Sequence, residues 1–188
     1  MPSLMSLANH LLIANPSLNN ADFAHSLIYV CEHHVQGTVG LMINRPIKHS
    51  LGLVFKQLRI EPLHVESNNK PLLFGGPIQP DRGFVIHRPK GVWHSSLDLL
   101  PNDVTITTSN DIIRAIADDA GPKDVLVALG YVGWNESQLE QEIMSDVWLV
   151  CPFQAALLYE VPFEDRWNEA GLSIGVHMNQ LAFGVGHA

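Results

Sequence analysis

A chain of 188 residues that is 46% hydrophobic and 16% charged can build a sizeable core, which excludes an intrinsically disordered protein. Its formal net charge of −8 excludes the dominant basic footprint of a general nucleic-acid binder. The charge is uneven, with 8 Lys/Arg against 5 Asp/Glu in residues 1–97 and 3 against 14 in residues 98–188.

Met1 to Asn15 is partly apolar but has no Lys or Arg ahead of the apolar run, which argues against a signal peptide. No apolar run reaches the ~18 to 20 residues that a membrane span needs, so neither a membrane nor a secretory route is expected. Cys31 and Cys151 lie far apart and match no zinc or redox spacing, which favours a reducing, cytoplasmic compartment. Cys31 follows the apolar run Leu27-Ile28-Tyr29-Val30, where a cysteine behaves as a small hydrophobe.

Ser26 to Glu32 and Thr38 to Asn44 are β-rich runs joined by His33-His34-Val35-Gln36-Gly37, a hairpin. Arg45-Pro46 then breaks pairing, because proline removes a ladder donor. Ser50 is placed to cap a helix to about Leu58 with Leu51, Val54, Phe55 and Leu58 on its apolar side. Pro71 to Phe74, Phe84 to His87 and Val104 to Thr107 are further strands. Ser109 or Asn110 opens a helix whose face is Ile112, Ile113, Ile116 and Ala120, and Gly121-Pro122 ends it. Asp124 to Val132 contains a continuous apolar run typical of a strand covered on both faces. Asn135 is placed to cap a helix to about Ser145, with Gln138 as its capping-box partner. Val147 to Cys151 returns as strand, a helix follows near Glu164 to Ala170, and an apolar tail closes the chain. Strands that are both adjacent and separated by helices imply a mixed sheet, hence an α+β class and one domain over residues 1–188.

Familiar site chemistries are sparse. Cys31 with His33, and Glu32 with His34, are i, i+2 pairs that share a strand face, but no third ligand is indicated. Polar residues at a hairpin tip account for them, and no metal or cofactor is expected. Gly75-Gly76-Pro77 lacks the Lys and following helix of a phosphate loop and reads as a tight turn. Glu136 with Glu140, and Glu142 with Asp146, read as a solvated acidic helix face. No G-x-S-x-G elbow exposes a serine, and no catalytic residue is assigned. Gly130-Tyr131-Val132-Gly133-Trp134 has glycines beside large rings, which permits close backbone approach to a ligand or a neighbouring element. The stretches between Glu32 and Glu61 and between Asp81 and Asp98 contain no acid. The first holds Arg45, Lys48, Lys56 and Arg59, and the second Arg82, Arg88 and Lys90.

Read together, Phe23-x-x-Ser26-Leu27-Ile28-Tyr29, Glu32-His33, Gly37-x-x-Gly40-Leu41-x-x-Asn44-Arg45-Pro46, Gly75-Gly76-Pro77, Arg82-Gly83-Phe84-x-x-His87, Leu129-Gly130-Tyr131-x-Gly133-Trp134, Gln138-Leu139-Glu140-x-Glu142-Ile143 and the closing Gly186-His187-Ala188 resemble the YqgE/AlgH family of bacterial proteins. The resemblance spans nearly the whole chain. It departs after Trp134, where the family typically has a glycine-containing approach and this chain has Asn135-Glu136-Ser137. The resemblance implies an α+β fold on a bifurcated, partly barrel-like sheet surrounded by helices. It also implies a cytoplasmic protein without a settled activity; some members are described as transcriptional regulators, including of alginate production.

The expected function is that of a non-enzymatic regulatory or interaction protein. It would bind a protein partner or small ligand through the polar motif residues Glu32, His33, Asn44, Arg45, Arg82, His87, Trp134 and Gln138, placed at strand ends and turns. The alternative is an enzyme or binding protein for a small anionic or nucleotide-like ligand, held by Arg45 and Arg82 with His87 or His33 as acid–base group. Direct DNA binding would require the two acid-free stretches to form one basic patch, and the sequence shows no helix-turn-helix.

Overall fold

The computed structural model describes residues 5–99 and 103–184. Strands β1 (Leu11–Ala14), β2 (Leu27–His34) and β3 (Gly37–Met42) form an antiparallel meander. The strand β4 (Pro46–Ser50) runs into helix α1 (Leu51–Gln57), and a 3-10 turn at Val65–Asn69 leads to β5 (Pro71–Phe74). Strands β6 (Ile78–Arg88), β7 (Ser96–Leu99) and β8 (Val104–Thr107) precede α2 (Asn110–Ala117) and the long β9 (Asp124–Asn135). Helix α3 (Gln138–Met144), strand β10 (Trp148–Cys151) and helices α4 (Ala155–Tyr159), α5 (Arg166–Ser173) and α6 (Met178–Gly184) complete the described chain.

The ten strands make one mixed sheet in the order β10-β1-β2-β3-β9-β6-β8-β7, curled into a half-barrel. It branches at β9. One edge of β9 pairs with β6, while the other pairs first with β5, in parallel, and then with β3. Strand β4 joins the branch through β5. The sheet is covered on both faces. Leu11, Ile13, Tyr29, Leu41, Ile86 and Leu126 pack with Leu157, Leu158 and Trp167 of α4 and α5. The alternate residues Leu12, Ile28, Met42 and Val132 pack with Leu139 of α3, and Leu72, Val85 and Val127 with α1 and α2. Covering both faces removes the polar alternation that marks a half-exposed strand, which is why β1 reads only as an apolar stretch.

The expected α+β class, the mixed sheet and the bifurcated half-barrel are what the chain adopts. Several local expectations change. Pro46 does not end pairing; it is the first residue of β4 opposite Leu73, a position where the missing N–H is tolerated. The hairpin is tighter than expected, because β2 extends to His34 and β3 starts at Gly37. Helix α2 stops at Ala117, before Gly121-Pro122, as Asp119 enters the left-handed region at φ 57°. Strand β9 continues through Asn135, so α3 begins at Gln138 after Ser137 turns left-handed at φ 58°. The Gln138 carboxamide oxygen accepts the Asn135 N–H at 3.0 Å, but the expected capping box is not formed, because Ser137 rather than Asn135 is the N-cap and makes no side-chain cap bond. Strands β1, β4 and β7 and helices α4 and α6 are additional to the elements expected. The motif Gly186-His187-Ala188 lies outside the described residues.

Three motif glycines build the branch point. Gly75 N–H donates to the Leu129 carbonyl at 2.7 Å, bringing two backbones into contact. A Cβ at Gly75 would fall 2.3 Å from the Gly130 carbonyl oxygen, one at Gly76 2.1 Å from the Tyr131 carbonyl carbon, and one at Gly130 2.2 Å from the Gly76 carbonyl oxygen. Gly130 also has φ 74°, a conformation that side chains resist. On the opposite side, Arg166 is 3% exposed and donates to the carbonyls of Ile43 (2.6 Å) and Val161 (2.9 Å). Burial pushes its pKa down to about 10, so it remains a cation that ties α5 to the end of β3. Gly130→Ala combines a steric clash with a left-handed backbone and is expected to cost at least about 3 kcal/mol, measured by urea unfolding.

Candidate functional site

The motif residues fall into separate groups. Beneath α3, His33 turns its ring into the protein with a side chain 6% exposed. Its Nδ1 accepts the Leu7 N–H at 3.0 Å, so the ring proton sits on Nε2 and is donated to Glu140 Oε1 at 2.8 Å. Beside it, Glu142 Oε2 accepts the indole N–H of Trp134 (2.9 Å) and of Trp148 (2.7 Å), while Oε1 accepts the Gln138 amide at 2.9 Å. The two indoles meet edge to face with centroids 6.0 Å apart. The acidic face expected of α3 is therefore only partly solvated. Glu136 and Asp146 are exposed, but Glu140 and Glu142 are half-buried internal acceptors. The readable signal was the i, i+4 spacing of Gln138 and Glu142; the indole donors come from β9 and β10 and have no local signature.

Asn44 and Arg45 hold the loop before β2. The Asn44 side chain accepts the Leu27 N–H at 2.9 Å and donates to the His25 carbonyl at 2.8 Å. The Arg45 guanidinium donates to the carbonyls of Ala21 (3.3 Å), Asp22 and Ala24 (2.8 Å). Arg45 lines a cleft with His25, Glu164 and Trp167, whereas Arg82 lines a different one. One ligand gripped by both arginines does not match this geometry. His87 is fully buried; its Nδ1 faces the Pro89 carbonyl at 3.2 Å and its Nε2 the Thr107 hydroxyl at 2.8 Å. Desolvation lowers its pKa against the opposing effects of the Pro89 carbonyl and Asp98. It is a structural imidazole on the sheet.

Glu32 and Arg82 are the two exposed members, and they line one cleft of about 200 Å³ between β2–β3 and β6–β8. Its other walls include Cys31, Leu41, Phe84 and Ser96. A bulge at Cys31, where Val30 pairs with Gly40 and Glu32 with Val39, breaks the alternation of β2. Cys31 and Glu32 therefore both line the cleft while His33 turns to α3, and the expected Cys31–His33 shared face is not formed. The Arg82 guanidinium stacks 5.1 Å from the Phe84 ring centre and, among the described residues, hydrogen-bonds only Gln79 Oε1, at 3.5 Å. On the opposite face of the same motif, Gly83 lines a groove of about 360 Å³. Leu53 and Val54 of α1, Leu58 just after it and Ile113 of α2 form its walls, and Val85, Val127 and Leu129 its floor. A Cβ at Gly83 would meet only Leu129 Cδ2, 4.0 Å away.

In the second acid-free stretch two of the three cations are paired. Arg88 Nε meets Asp124 at 2.6 Å and Lys90 pairs with Asp98. Burial raises the pKa of both Cys31 and Cys151 above the usual thiol value, which makes them poor nucleophiles. Among the described residues no three His, Cys, Asp or Glu side chains are grouped to hold a metal, and no helix is long and apolar enough to cross a membrane.

A half-barrel branched by glycines, with ordered motif residues at its strand ends, defines a fold shared with known proteins. The AlgH-like family model matches residues 11–179. A UPF0301 protein of Legionella pneumophila is 62% identical over 100% of both chains, and one of Saccharophagus degradans is 41% identical over 98% of this chain and 90% of its own. The solution structure of the AlgH protein from Pseudomonas aeruginosa superposes with a TM-score of 0.80 at 38% identity, covering 100% of this chain and 99% of that one. This chain belongs to the AlgH-like family, in which no biochemical function is established.

The burial of His87 has a pH consequence. Its folded-state pKa lies below its unfolded value, so unfolded chains take up the proton first as pH falls through about 6.5. Its stability contribution is complete above that pH and lost below it. His87→Gln is expected to lessen acid destabilisation between pH 7 and 5, by at most about 1.4 kcal/mol per pH unit. Urea midpoints across pH for both proteins measure this difference.

Proposed function

We propose that this protein is a non-catalytic interaction protein that recognises a protein partner through the Glu32–Arg82 cleft. The observation that carries the reading is the division of labour among the motif residues. His33, Asn44, Arg45, His87, Trp134 and Gln138 spend their polar atoms on internal bonds. Glu32 and Arg82 stay at the surface, and both line one cleft. The exposed Glu32–His34 contact at 3.7 Å holds Glu32 weakly. A cleft of about 200 Å³ is below the range of about 300 to 1,000 Å³ usual for small-molecule pockets. It suits a single anchoring side chain of a partner, flanked by charges complementary to Glu32 and Arg82. Any regulatory role would then operate through protein contact rather than DNA contact, and the proposed compartment is the cytoplasm, a placement supported by two buried free thiols. Immobilised wild type, Arg82→Glu and the control Arg59→Glu are compared for proteins retained from native lysate. At least a tenfold depletion with Arg82→Glu alone is expected; an identical retention profile in all three refutes the reading.

Gly83 favours a second reading, a small apolar ligand in the groove between α1 and α2. Its φ is ordinary and its missing side chain opens only onto that groove, whereas glycine within a strand otherwise weakens it. Gly83→Leu is expected to leave the thermal midpoint unchanged or raised while abolishing binding of 8-anilinonaphthalene-1-sulfonate. Loss of more than about 2 kcal/mol of stability would instead make this glycine a requirement of the fold.

A further inference from the structure

We infer that the cleft between Lys70 and Lys123, at the entrance to β5 and β9, is a binding site for a phosphate group. The cleft encloses about 280 Å³ and is lined by Leu51, Lys70, Pro71, Lys123, Asp124, the first residues of β9 and Tyr159. It shares no lining residue with the Glu32–Arg82 cleft, so it stands apart from the partner-binding reading.

Two ammonium groups and a phenol without recipients line it. Lys70 and Lys123 are exposed, and neither has a carboxylate within ion-pair distance among the described residues. The Tyr159 hydroxyl is sealed from solvent and has no hydrogen-bond partner among the described residues, so a bound oxygen reaches it only after the side chain turns toward the cleft, a turn that satisfying this polar atom would favour. Burial raises the Tyr159 pKa, assisted by Asp124 and Asp103 and opposed by Arg88; the phenol keeps its proton and remains a donor. The acid on the wall, Asp124, is already bonded to Arg88 Nε at 2.6 Å, and the Arg88 guanidinium lies 5.0 Å from the Tyr159 ring centre. Glu160 faces the same guanidinium. Arg88 thus offsets Asp124, the acid that lines the cleft, and Glu160 is not part of that lining.

A phosphate dianion matches this arrangement better than a carboxylate. Its charge balances both lysines, and it has oxygens left to accept the phenol proton. The volume also admits a small group esterified to the phosphate. Chain topology brings the three donors together: Lys70 precedes β5, Lys123 precedes the parallel strand β9, and Tyr159 ends α4 against them.

Thermal unfolding and calorimetric titration of the full chain test the site, in inorganic phosphate, ribose 5-phosphate, acetate and chloride at matched ionic strength. Phosphate or its ester is expected to raise the midpoint above chloride and acetate, and the stronger of the two identifies a free or an esterified ligand. The double variant Lys70→Gln/Lys123→Gln is expected to lose that increment while keeping its midpoint in chloride. This arm removes general salting effects of phosphate on stability. Tyr159→Phe is expected to weaken binding about tenfold without loss of stability in chloride, since it deletes an unsatisfied hydroxyl. Equal midpoints in all four salts, or an increment that survives in the double variant, overturns the proposal.

Discussion

The contact on which the rest of the structure depends is the passage of the Gly75–Gly76 backbone against Gly130 and Tyr131. Along β9, one edge must hand over from β5 to β3, and the two partners arrive from opposite directions. Carbonyl and amide groups there come so close that a single methyl group would overlap main-chain atoms at three positions. Glycine resolves this by having no Cβ and by entering conformations that other residues avoid. With the branch made, β4 and β5 lie on one limb and the β1–β2–β3 meander on the other, and the clefts open between the limbs and their covering helices.

That branch also explains where the polar motif residues go. Strands leaving a branch end at different heights, and their exposed termini need buried donors and acceptors to close them. Arg45 satisfies three carbonyls of the loop before β2, Arg166 satisfies the end of β3, and Glu142 gathers two indoles and an amide beneath α3. A buried polar network has to be fully satisfied to avoid a desolvation cost, which ties these residues to each other and removes them from ligand binding. Residues of the same motifs that point the other way, Glu32 and Arg82, carry no such internal duty. The Arg82-Gly83-Phe84 strand separates the two roles residue by residue: its odd member opens a groove on one face, its even members line a cleft on the other.

Much of the fold was legible along the chain. The hairpin of β2 and β3, the helices α1 and α2 and the buried strand β9 followed from local rules of periodicity, whereas the expected caps Ser50 and Ser109 make no side-chain cap bond. Strand β1 escaped because it is covered on both faces, and β4 because proline suggested a break where the branch supplies a pairing position that needs no N–H. The departure at Asn135-Glu136-Ser137 was visible too; its effect is that Ser137 takes the left-handed turn that a glycine would take without strain. The candidate site was less legible. Eight polar residues could be named, yet which six turn inward depends on partners contributed by elements far away in sequence, such as Trp148 for Glu142 and Thr107 for His87.

The sequence by itself determined the α+β class, the principal elements and membership of a family defined by ordered motifs, because propensity, periodicity and glycine placement act over a few residues. Tertiary structure alone decided which charges remain unpaired at the surface. Arg45 and Arg82 carry the same guanidinium, and only the carbonyls that the fold delivers to one and withholds from the other set them apart. Lys70, Lys123 and Tyr159 are equally unremarkable in the chain; they become a candidate site because parallel pairing of β5 with β9 brings distant residues to one cleft.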